Sequence, residues 1–155
     1  DDNVIGTTTR GQAHADPSLI HRSVAILVFR DGKVFLQKRS PTKDRYANYW
    51  ACSATGHVDS GETYDQAAVR ELKEELGLTV KDPPIAMTTQ LMEYDKETEL
   101  MRFYCYETND DIVTHPVEIS DGKFVDLAKP FPDDMPVTPC TEFIRTYLLE
   151  RGAIR

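Results

Sequence analysis

The sequence predicts an α/β or α+β domain, with strands and helices interleaved around one sheet system. Three observations carry that expectation. Ser23–Phe29 (SVAILVF) is a continuous apolar run, followed at once by the turn pair Asp31-Gly32. A helix-like amphipathic segment spans residues 63–76 and stops before Gly77. The remaining apolar segments are short, of strand or single-helix length, and no repeat, low-complexity tract or linker separates them. At 155 residues the chain suits a single domain, 1–155, with a real core.

In chain order, Ser23–Phe29 is expected to be a strand buried on both faces, because it lacks polar alternation. Asp31-Gly32 favours a tight hairpin turn, which makes Lys33–Arg39 the return strand. Residues 40–50 read as a loop, and Ala51–Ala54 as a short strand leading into the helix at 63–76. Ile85–Tyr94 and Leu100–Glu107 are expected to be strands joined by an acidic turn, with Lys123–Leu127 a further short strand. The Pro-rich stretch Lys129–Pro139 is a loop, after which a final helix over Pro139–Arg151 takes Thr138 as N-cap and Pro139 at N1.

Composition narrows the function. Apolar residues make up 40% and charged residues 28%, as in ordinary globular domains. A net charge of −8 argues against a nucleic-acid-binding surface. No stretch has the apolar length of a membrane span, so no membrane partner is expected, and no signal peptide is read. Cys52, Cys105 and Cys140 are odd in number and lack a C-x-x-C pair, which fits reduced thiols in a cytoplasmic protein.

The chemistry is concentrated between Gly56 and Leu78. Glu71, Glu74 and Glu75 lie at i, i+3 and i+4, within an arc of roughly 100° on one helix face. Val69, Leu72 and Leu76 are expected on a separate face that packs on the core. Like charges at such spacings cost about 0.2–0.5 kcal/mol per pair until something neutralises them. A hard divalent cation such as Mg²⁺ or Mn²⁺, which takes oxygen ligands and is often bound with substrate phosphates, does so well.

The same segment resembles the Nudix box, G-x5-E-x7-R-E-U-x-E-E-x-G-U with U aliphatic, and matches it at every position: Gly56, Glu62, Arg70, Glu71, Leu72, Glu74, Glu75, Gly77 and Leu78. The resemblance implies a Nudix-type α/β/α sandwich around a mixed β-sheet, with the box as loop–helix–loop. It implies a metal-dependent hydrolase cleaving the diphosphate linkage of a small organic or nucleoside diphosphate derivative, with Mg²⁺ or Mn²⁺ as cofactor. Glu71, Glu74 and Glu75 correspond to metal ligands, Glu62 to a residue reaching the same cluster, and Arg70 to the arginine that orients these glutamates. Glu75 is the first candidate for the residue that activates water, with Glu99 and Glu118 as others. Gly56 and Gly61 are expected to let the backbone turn tightly beside metal and substrate. A homodimer is a further implication of the resemblance.

Outside the box the chain is similar to isopentenyl-diphosphate isomerases, which are Nudix relatives. The similarity runs through His14, His21, Arg39, Lys43, Trp50, His57, Glu97 and Glu99. It implies a metal set of His14, His21, His57, Glu97 and Glu99, and a diphosphate grip by Arg39 and Lys43. Isomerase chemistry needs a cysteine just before the Gly56-His57 position. Thr55 stands there, and Cys52 is three residues too early. With the full set of box glutamates present, hydrolase is the leading expectation. An isomerase-like enzyme and a non-catalytic diphosphate sensor are the alternatives.

Overall fold

A computed structural model of the protein describes residues 2–155. The elements run α1 (Arg10–Ala13), β1 (His21–Arg30), β2 (Lys33–Arg39), β3 (Trp50–Ala51), β4 (Ala54–His57), α2 (Tyr64–Leu76), β5 (Ile85–Glu93), β6 (Thr98–Glu107), β7 (Ile119–Val125) and α3 (Pro139–Glu150). The seven strands form one mixed sheet. β1 is its spine. β6 runs parallel along one edge of it, from His21 beside Glu99 to Phe29 beside Glu107. Two antiparallel strands divide the other edge, β4 against Ser23–Ile26 and β2 against Val28–Arg30. β2 continues past that junction to pair with β3 and β7, and β5 closes the far side against β6.

The apolar run of β1 is buried on both faces, as its lack of alternation predicts. Ala25 and Leu27 pack with Leu36, Trp50, Phe103, Ile144 and Leu148 in a core that takes in α3. Val24, Ile26 and Val28 pack with Ala67, Ala68, Leu72 and Leu76 of α2. One helix per face makes the sandwich, and the period of two along β1 assigns each side chain to a layer.

Local chemistry explains most boundaries. Asp31 and Gly32 both have left-handed backbones (φ 50° and 72°), the conformation of a two-residue hairpin turn with primed geometry. Thr63 caps α2 in a reciprocal box with Gln66, and Gly77 ends it at φ 66°, donating to the Leu72 and Lys73 carbonyls. Three expectations shift. The strand read at Ala51–Ala54 is broken at Cys52-Ser53 into β3 and β4, because Ser53 turns its hydroxyl onto the Val28 N–H and the Phe35 carbonyl. The strand read at Lys123–Leu127 begins earlier, at Ile119, where pairing with Arg39 of β2 starts after a register shift. The short helix α1, held by a Thr9–Gln12 capping box, was not expected.

Candidate active site

The helix that carries the box does not present its carboxylates on a solvated face. Glu71 and Glu75 are buried together with Leu72 and Leu76, whereas the Glu74 side chain is 58% exposed and Val69 is also exposed. The helical wheel accounts for this. The buried arc of α2 is centred between Ala68 and Glu75, and Val69 and Glu74 each fall about 110° to one side of it. Val69 is thus a flank position rather than part of the expected core face.

Each buried carboxylate has a built environment. Glu75 Oε2 accepts from Gln37 Nε2 on β2 at 2.8 Å and from the Thr55 N–H on β4 at 2.9 Å. It therefore sits where β2 and β4 part from their shared edge of β1. Burial, with Glu71 close by, pushes its pKa up to about 8 despite those donors. Burial also raises Glu71, against the pull of Arg70. Glu71 lies over Gly56, so that a Cβ there would come within 1.9 Å of Oε1. Gly56 is an ordinary β4 residue with no left-handed backbone, and its smallness makes room for a carboxylate. Gly61, at φ 81°, is the glycine that makes a turn.

Arg70 ties this wall together. Its guanidinium grips both oxygens of Glu62 at 3.0 Å, Glu71 Oε1 at 2.5 Å, Glu74 Oε2 at 3.3 Å and the His57 carbonyl at 2.8 Å. Those hydrogen bonds lower Glu62 and hold Arg70 firmly protonated. Glu62 is thus turned to Arg70, and Glu71 and Glu75 face a cavity of about 500 Å³.

A second cluster beside that cavity is assembled from four separate stretches of chain. The parallel register of β1 and β6 puts His21 beside Glu99, and the antiparallel register of β1 and β4 puts His57 across from Ser23. His14 arrives as the C-cap of α1, and Glu97 from the turn ahead of β6. One ligand atom each from His14, His21, His57 and Glu97 lies within 4.8 Å of the others. His14 Nε2 is 3.2 Å from His57 Nε2 and 3.1 Å from Glu97 Oε2. Glu99 Oε1 stands 3.8 Å from His21 and 3.9 Å from His57, and its Oε2 accepts from Ser23 Oγ at 2.7 Å. The acidic turn is therefore folded inward, with Glu97 and Glu99 both buried.

Crowding in this corner disfavours protonation of His14 and His21. Desolvation first, and the charge of His57 next, bring His14 down to about 4 and lower His21. Burial raises Glu99, but hydrogen bonds from His57 and Ser23 outweigh it and the net shift is downward. The imidazoles of His14 and His21, held toward the neutral form beside the ionised Glu99, belong to a donor set suited to a transition-metal or hard divalent ion. Two buried atoms here, His21 Nε2 and Glu97 Oε2, lack any hydrogen-bond partner. Such orphans are rare in a folded protein, and this donor set fits a cation.

Cationic side chains line the rest of the cavity. Lys43 Nζ lies 2.8 Å from Glu118 Oε2, an ion pair that lowers Glu118. Arg39 donates through Nε and Nη2 to the Arg45 carbonyl, at 3.2 and 3.1 Å. Arg10, Arg45, Tyr94 and His115 also line it, and sequence reasoning did not single them out. Gln37, the clamp on Glu75, was equally missed. A polar residue closing the apolar stretch Val34–Leu36 was its only signal. Trp50 packs in the core, under Lys123.

Residues 19–141 match the NUDIX domain family model. The chain belongs to the Nudix family. Among curated Nudix relatives, an uncharacterized Nudix hydrolase of Listeria innocua is 34% identical over 128 residues, covering 79% of this chain and 73% of that one. Isopentenyl-diphosphate Delta-isomerase 2 of Photorhabdus laumondii is 31% identical over 136 residues, covering 83% and 74%. The Nudix fold recurs in solved structures. The DR0079 protein of Deinococcus radiodurans superposes with a TM-score of 0.72 at 25% identity, covering 94% of this chain and 93% of that one. The MutT protein of Methanosarcina mazei Go1 does so with a TM-score of 0.74 at 20% identity, covering 90% and 98%. Among the described residues no helix is long and apolar enough to cross a membrane.

Proposed function

We propose that the protein is a divalent-cation-dependent hydrolase that cleaves the diphosphate linkage of a small organic or nucleoside diphosphate derivative. One observation carries the reading. The buried box carboxylates Glu71 and Glu75 share a single cavity with the cationic side chains Arg10, Arg39, Lys43 and Arg45. A diphosphate presents anionic oxygens to both metal and cations, and its hydrolysis depends on positioning and charge neutralisation more than on covalent chemistry. Glu71, Glu74 and Glu75 would hold Mg²⁺ or Mn²⁺ on one wall, and His14, His21, His57, Glu97 and Glu99 a further ion in the corner. Such ions neutralise phosphate oxygens and make bound water a better nucleophile.

The chain's own residues do the rest. Arg70 fixes Glu71 and Glu74 by direct hydrogen bonds. Gln37 and the Thr55 N–H hold one oxygen of Glu75. In the metal-free protein burial raises the Glu75 carboxyl to about 8, so a cation bound there would have to displace its proton near neutral pH. Arg39 and Lys43 are assigned to the substrate's diphosphate, Lys43 exchanging Glu118 for it. Turnover of one substrate class from a panel of nucleoside triphosphates, nucleotide sugars, dinucleotides, CoA and isoprenyl diphosphates, lost in Glu75→Gln, is the expected result. Unchanged turnover in that variant would sink the assignment.

A second reading, isopentenyl-diphosphate isomerisation, is favoured by the histidine corner and by the relatives of that name. Thr55 opposes it, since it stands where the isomerase thiol is needed and Cys52 is wholly buried in the core. NMR of isoprenyl diphosphate incubated with the protein discriminates between the two. A shifted double bond with no phosphate release would establish the isomerase.

A further inference from the structure

Arg45 belongs to none of the motifs above, yet its side chain reaches one of the most deeply buried carboxylates in the molecule. The loop that carries it is pinned at both ends. Arg39 N–H donates to the Tyr49 carbonyl and Asn48 N–H to the Arg39 carbonyl, at 2.8 and 3.1 Å. The Arg39 side chain holds the Arg45 carbonyl as well. Just after Arg45 the backbone turns left-handed at Tyr46 (φ 50°) and again at Asn48 (φ 65°). Non-glycine residues keep that conformation only where surrounding contacts impose it. The outcome is a guanidinium delivered to Glu97 Oε1. The other oxygen of Glu97 faces His14 Nε2 at 3.1 Å and His21 Nε2 at 3.9 Å without a hydrogen bond.

We propose that Arg45 is the counter-cation of Glu97 in the cation-free protein, and that it yields Glu97 to a divalent ion entering the His14/His21/His57/Glu97 cluster. The inference rests on the reading of that cluster as a cation site. A buried carboxylate left alone carries a large desolvation cost, so something positive must accompany it in either state. Two cations close to one carboxylate repel each other strongly in a partly dehydrated pocket. Arg45 therefore stabilises the empty site and lowers its affinity for the ion. It is a positioning residue whose loop sets how readily the corner loads.

The test is Mn²⁺ titration by calorimetry of wild type, Arg45→Gln and Arg45→Lys, each also carrying Glu97→Gln. Arg45→Gln should bind the corner ion about tenfold more tightly, a size ordinary for directly contacting groups. Arg45→Lys should stay near wild type, and Glu97→Gln should erase the difference. The metal-free Arg45→Gln protein should also melt lower than wild type and recover in saturating Mn²⁺. Equal or weaker Mn²⁺ binding by Arg45→Gln overturns the proposal while leaving the cation site standing. The same gain in the Glu97→Gln background overturns it as well, since Arg45 would then act through general charge. If Glu97→Gln alone changes neither the number nor the affinity of bound Mn²⁺ ions, the corner is not a cation site and both readings fall.

Discussion

The two walls of the cavity are built on opposite principles. On the helix wall, Glu71 and Glu75 are met by the protein itself. Arg70, Gln37 and the Thr55 N–H supply their donors, and Arg70 meets five acceptors at once. In the histidine corner, three imidazoles and two carboxylates crowd together, and two buried atoms stay unpaired. A satisfied wall holds its geometry before anything binds, which is the preorganisation that charge-stabilising catalysis needs. A corner with orphaned atoms would be completed by the cation proposed to bind there. The helix wall should therefore govern turnover, and the corner should govern loading.

The sharpest way to break that contrast is to remove the charge of Glu75. A glutamine keeps the shape and can still accept from Gln37 and Thr55, so Glu75→Gln should fold normally. Turnover should fall by roughly 10²–10⁴-fold, the range of a positioned acid–base group. Circular dichroism and steady-state rates measured together separate the two effects. In the corner, His21→Ala deletes a ligand whose Nε2 has no partner to lose. It should weaken binding of one Mn²⁺ by at least about tenfold and leave the helix-wall ion in place. Loss of both ions would show that the walls are a single site.

A smaller effect is expected at Gly56. The Cβ of alanine would strike Glu71 at Oε1, Cδ and Cγ, all side-chain atoms and none backbone, so the Glu71 side chain as a whole is displaced rather than the strand. Gly56→Ala should cost about 10–100-fold in turnover, as displacement of supporting groups does, with little change in melting temperature. A large drop in stability with activity retained would contradict this account.

The same contrast governs what could be read from the chain. Val24 to Val28 announced a doubly buried strand, and Asp31-Gly32 its turn, because backbone preference and burial agree there. Glu71 and Glu75 were legible because one helix carries them at fixed spacing. Their burial was not, since a wheel alone does not say where the packed arc ends, and Val69 was placed on the wrong side of it. The corner depends on registers. His21 meets Glu99 only because β1 and β6 run parallel, and His57 joins them only because β4 shares the edge of β1. Nothing local in the sequence states those pairings, so family resemblance alone brought the residues together. Arg45 left no trace and Gln37 only a polar residue closing an apolar stretch, since a loop arginine and a strand glutamine look like solvated residues until burial is known.

Titration of the metal-free protein gives the last and smallest test, because the two walls respond in opposite directions. His14 is lowered to about 4 from an ordinary 6.5, so the unfolded chain binds more protons than the native one between those values. This contribution to stability therefore grows as pH rises through that window. Glu75 is raised to about 8 from an ordinary 4.5, so the native state holds the extra proton and stability falls as pH rises between them. Below pH 6.5 the two oppose each other; between 6.5 and 8 only the Glu75 contribution remains. With chelator present, the melting temperature should drop by about a few degrees from pH 6.5 to 8.5. Glu75→Gln should flatten that drop, and Mn²⁺ should reverse it, since loading the helix wall releases the same proton. A wild-type melting temperature that climbs across this interval would mean that Glu75 is ionised in the empty site and that the helix wall is no more self-sufficient than the corner.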